Sequence, residues 1–150
     1  MKNSVLTKSV LTVSGLVAIA IGGAILFAPA AFHSANGIHF GGDSSLLSET
    51  RAAAGALLAT GVLLSFGAFT PRPTFTAATV GAMTYLAYGL SRILSLALDG
   101  MPATGIALAG VAELVIGAAC VLVLTRTSTS SVRTEPTARL RRGAERTRLT

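Results

Sequence analysis

Val10 to Phe27 is a run of 18 residues without a charge, and three mostly apolar stretches of similar length follow it, at about 49–69, 74–98 and 103–124. A helix of about 20 apolar residues matches the thickness of a bilayer core. In hydrocarbon a single segment can satisfy its own backbone groups only as a helix. This constrains the chain more than any other feature. Half of the 150 residues are apolar and 12% are charged, about half the charged share of a soluble domain. The expected fold is all-α: a four-helix transmembrane up-down bundle over residues 1–125, with helices at about 9–28, 49–69, 74–98 and 103–124.

Punctuation sets these boundaries. Pro29 disfavours continuation of the first helix. Lys2 and Lys8 precede that helix, and Ala28-Pro29-Ala30 looks like a small-residue cleavage site, so a secretory signal is an alternative. The apolar stretch is longer than a signal core, which favours a retained span. Residues 29–48 read as a long loop with turns at Asn36-Gly37 and Gly41-Gly42. Ser48 and Glu49 are the expected start of the second helix. Thr70-Pro71-Arg72-Pro73 is a tight connector. Asp99-Gly100-Met101-Pro102 ends the third helix and opens the fourth.

Net charge is +6, but seven arginines against Glu135 and Glu145 concentrate it in residues 126–150. That tail buries too little apolar surface to fold alone and is expected to be disordered. Lysine and arginine bias places Lys2, Lys8, Arg72 and the tail on one face of the membrane and Asp43, Glu49 and Asp99 on the other. Both termini are then cytoplasmic. The tail's arginines suit anionic lipid headgroups or simply fix topology; no specific nucleic acid is expected. The single cysteine, Cys120, excludes an internal disulfide and reads as a small buried thiol. His33, His39 and Asp43 share one loop, a poor template for a metal, and they read as solvated side chains. No metal and no cofactor are expected.

The third helix carries Tyr85, Tyr88, Arg92, Ser95 and Asp99 at spacings of three and four, which places all five on one face. Such a stripe should face the bundle interior or a wet cavity. The plainer reading is that the tyrosines and Ser95 only join helices. Arg92 is harder to set aside. It lies roughly 10 Å below Asp99, and Glu113 lies roughly 15 Å below the start of the fourth helix at the same face, by the helical rise. Side chains lean toward the N-terminus of their own helix, so these two lean toward each other. A central charge costs about 2.5–3.5 kcal/mol on insertion scales, which favours a paired guanidinium and carboxylate. Alternatively Glu113 is neutral, since hydrocarbon disfavours its charged form. Ala109, Gly110, Gly117 and Cys120 share its face and permit close helix approach; Gly55 and Ala59 are expected to do the same beside Arg51. Arg51 either snorkels to water or joins Asp99. The candidate polar cluster is therefore Arg51, Tyr88, Arg92, Asp99 and Glu113, with no catalytic set.

The segments SETRAAAGALLATGVLL, GLSRILSLALDGMP and AGVAELVIGAACVLVL resemble the four-helix bacterial membrane proteins of domain-of-unknown-function family 4345. The residues that carry this are Arg51, Ala52, Gly55, Gly89, Arg92, Asp99, Gly100, Pro102 and Glu113, over roughly residues 10–125. The resemblance implies four spans in a bacterial cytoplasmic membrane with a polar core built from these residues. It implies no reaction.

Three functions follow in order. The cluster is structural and holds the third and fourth helices in register. Or it receives an anionic or quinone-like small molecule for binding or transport. A membrane redox or lipid-modifying enzyme ranks last, for want of cysteine pairs, histidines within the spans or a nucleophile and base. Membrane lipids are the expected partners; a ligand within the bundle and a homodimer are left open.

Overall fold

The computed structural model describes the backbone from Lys2 to Thr147 and the side chains from Val5 to Thr127. The side chains of Lys2 and of the arginines beyond 127, on which part of the orientation rests, lie outside the described residues. Five helices form: α1 (Lys2–Phe27), α2 (Pro29–Ser34), α3 (Ser44–Phe69), α4 (Thr74–Asp99) and α5 (Thr104–Thr147). Four are long and one is short, rather than four in all.

The extra helix comes from Pro29. It ends α1, but its fixed φ and missing N–H suit the first turn of a new helix, and α2 begins on it. The start of α3 also differs from the expectation. Asp43 is its cap: one carboxylate oxygen accepts from the N–H groups of Ser45 at 2.8 Å and Leu46 at 3.2 Å. Two orphan donors are satisfied at once, so the helix begins five residues before Glu49. At the other end, the Thr74 hydroxyl donates to the carbonyls of Gly67 and Thr70, closing the α3–α4 hairpin. Gly100 ends α4 at φ +90, a conformation that glycine adopts without strain.

The last helix does not stop where the disordered tail was expected. Its backbone continues from the apolar segment through the basic one to Thr147. A helix already nucleated extends with one hydrogen bond per residue, though Pro136 supplies no N–H to this stretch. Residues 148–150 lie outside the described residues.

The long helices pack as two antiparallel pairs, α1 with α3 and α4 with α5, joined mainly across α3 and α4. Gly15 and Gly61 let the first pair close: a β-carbon at Gly61 would stand 2.7 Å from the Gly15 carbonyl oxygen and from the Ile19 nitrogen. Gly55 and Ala59 do not take part as expected. Gly55 faces open space and Ala59 is exposed, because the contact face of α3 runs instead through Ala54, Gly61, Leu64 and Ala68. The core of Leu11, Ala18, Leu64, Ala68, Ala77, Ala78, Tyr85 and Val123 fills mostly the half of the bundle near the α3–α4 turn.

Large apolar side chains cover the outside, among them Val13, Leu16, Phe66, Met83, Leu94, Val111 and Val115. Water would tolerate such a surface poorly. Three segments are long and apolar enough to cross a membrane: Val5–Phe27, Ser44–Phe69 and Thr104–Thr127. The protein is a membrane protein. α4 matches α1 and α3 in length but carries the polar stripe, which sets it apart in composition.

Backbone contact at Gly61 makes a clear test. Gly61→Ala should destabilise the detergent-solubilised protein by about 1–3 kcal/mol through overpacking, measured by denaturant titration. Gly55→Ala should be neutral or stabilise by up to about 1 kcal/mol, since alanine is the better helix former.

Candidate functional site

Along α4 the stripe runs from the core to the surface, and Tyr88 is already exposed. Tyr85 is buried, Arg92 is half-buried, and Ser95 and Asp99 are exposed. Arg92 meets α5. Its Nε donates to Glu113 Oε2 at 2.7 Å and its Nη2 donates to Oε1 at 3.1 Å. Two parallel bonds between a planar fork and a carboxylate form the strongest common type of ion pair. The arginine side chain remains 35% exposed and the glutamate 17%. Gly110 is what admits the arginine stem, since a β-carbon there would lie 3.0 Å from Arg92 Cδ.

This pair forms part of the wall of a cavity of about 500 Å³. All four long helices line it: Ile21 and Ile25 from α1, Ala54 and Leu57 from α3, Tyr88 and Arg92 from α4, Ala109, Glu113 and Ile116 from α5. Phe32 and His33 of α2, with Asn36 and Ile38 after it, close the loop end. The volume falls in the usual range for small-molecule sites, as does the pattern of an apolar wall with few polar groups.

Most of those polar groups are already engaged. The Tyr85 hydroxyl donates to the Ser14 carbonyl at 2.6 Å. Thr50 donates to Leu46 O, and Asn36 Nδ2 to Phe32 O. His33 Nδ1 lies 2.9 Å from the Pro29 carbonyl, an acceptor, so that nitrogen is the one that donates. The Tyr88 hydroxyl has no hydrogen-bond partner among the described residues. Among the described residues, the groups left for a visitor include Tyr88, His33 Nε2, Asn36 Oδ1 and the unused donors of Arg92.

Of the five cluster residues expected from the sequence, three meet here: Tyr88, Arg92 and Glu113. Arg51 does not reach them or Asp99. It is exposed, and its Nε donates to the Leu26 carbonyl at 3.4 Å, near the end of α1. A basic group suits those last carbonyls. Asp99 stays at the rim and accepts from Ser95 Oγ at 2.9 Å. His33 is the residue that sequence reasoning missed. It is half-buried between the rings of Phe32 and Phe40 rather than solvated. The signal for it was Pro29 as a helix opener, which turns His33 into a helical residue. Among the described residues no group of three histidine, cysteine, aspartate or glutamate side chains could hold a metal ion.

Residues 6–124 match the family model described as Domain of unknown function (DUF4345). The chain belongs to this family. No curated protein and no solved structure matches it. The matched residues take in both members of the ion pair and every residue that lines the cavity.

A pair that is partly exposed lies between the values for surface and buried ion pairs. Arg92→Leu and Glu113→Leu should each cost about 1–3 kcal/mol in detergent. The double variant should recover much of that loss, because it strands no charge. Additive losses in a double-mutant cycle would show that the two side chains do not support each other.

Proposed function

We propose that the protein binds a small, mostly apolar molecule within the bundle, with the polar end of that molecule at Arg92, Glu113 and Tyr88. The observation that carries this reading is the cavity itself. A pair that served only to hold α4 against α5 would need no space of about 500 Å³ beside it. The space is partly open and mostly apolar-walled, as small-molecule clefts are.

The same reading has α4 as a fourth span, with both termini on the cytoplasmic face of a bacterial membrane. The short α3–α4 turn supports it, as does the placement of Arg72 at one end of the bundle and Asp43, Glu49 and Asp99 at the other. α4 shares its length with α1 and α3 and lies against α5 along its polar face, where hydrocarbon need not meet the charge. Transport is a weaker reading, since no observation among the described residues points to it.

Two measurements test this. Native mass spectrometry of the gently solubilised protein should show a bound small molecule, and Ala109→Phe, which fills the cavity, should lose it while remaining folded. An unliganded wild-type protein that takes up no amphiphile would count against the reading. On a Cys120→Ala background, Ser44→Cys should react with a membrane-impermeant thiol reagent in intact cells, and Arg72→Cys should not. Reaction at Arg72→Cys would break the proposed topology.

A further inference from the structure

The ion pair leaves the cavity with no net charge and with hydrogen bonds still to give. A guanidinium carries five N–H donors. Two go to Glu113, and the side chain remains 35% exposed. Tyr88 lies one helical turn from Arg92 on the same face and adds an unpartnered hydroxyl. Across the cavity His33 has spent one ring nitrogen on the Pro29 carbonyl, so its other nitrogen accepts in the neutral ring. The rest of the wall is apolar, with Ile21, Ile25, Leu57 and Ile116 prominent.

The Glu113 carboxylate decides which molecule this wall suits. It already neutralises Arg92, so an arriving anion would gain little from the guanidinium and would face a like charge beside it. It would also leave a net negative charge in a medium that solvates charge badly. An uncharged acceptor meets neither difficulty. It can take the free N–H groups without disturbing the pair.

We infer that the cavity takes an uncharged amphiphile whose head presents carbonyl oxygen to Arg92 and Tyr88 and whose hydrocarbon lies against the isoleucines. This rests on the reading that the cavity binds a small molecule, and it chooses the neutral class over the anionic one. Glu113 is then a specificity residue. It excludes carboxylates and phosphates by satisfying the arginine first.

The test compares two probes of equal chain length, decyl-1,4-benzoquinone and decanoate, by equilibrium dialysis against the full-length protein in neutral detergent, with protein-free micelles as the blank. The quinone should bind wild type at least tenfold more tightly than decanoate. Glu113→Gln frees the charge of Arg92 and should reverse that order, while Arg92→Gln should weaken the quinone about tenfold. Equal or tighter binding of decanoate to wild type overturns the inference, as does an unchanged ratio in Glu113→Gln. Where that variant does not fold, the wild-type ratio alone decides. If neither probe binds and yet a different molecule co-purifies, only the ligand class fails. If nothing binds or co-purifies, the cavity reading falls with it.

Discussion

A guanidinium inside an apolar bundle must find an opposite charge, and the arrangement of α4 against α5 answers that requirement. Arg92 and Glu113 sit on antiparallel helices whose shared end lies at the Gly100 turn, so the same few residues set both depths. Gly110 lets the arginine stem lie against α5 instead of pushing it away. The fork then closes on the carboxylate with two bonds. Without this neutralisation the polar stripe of α4 would oppose its residence among apolar helices.

The two halves of the bundle are packed to different purposes. Near the α3–α4 turn, small residues and leucines interdigitate and leave little room. Toward α2 the cavity lies between the two pairs, walled by side chains from every helix, while α1 and α3 stay in contact at Gly22. The polar groups that could have filled it are bonded locally, to carbonyls of their own helix or of a neighbour. Tyr88, the outer edge of Arg92 and the second ring nitrogen of His33 are among the exceptions.

Much of this was legible from residue order. Pro73 and Gly100 bracket α4, and the depths of Arg92 and Glu113 follow from counting residues from a shared turn. What was not legible depends on competition or on tertiary placement. Asp43 and Ser48 are both acceptable caps, and the aspartate prevails because its carboxylate reaches two N–H groups. Pro29 carries two opposite local meanings, stop and start, and only the chain beyond it shows that both apply. Arg51 depends on where the last carbonyls of α1 fall, which no feature near residue 51 encodes. His33 enters the cavity wall because α2 folds back over the bundle, a consequence of packing and not of spacing.

The bond from the Tyr85 hydroxyl to the Ser14 carbonyl joins one helix pair to the other near mid-bundle. It acts as a rivet between two blades. Below it the tight packing already forbids separation; above it only side chains line the gap. Losing that bond would strand a buried hydroxyl and a buried carbonyl together, so the two pairs hold their mutual register at this one point.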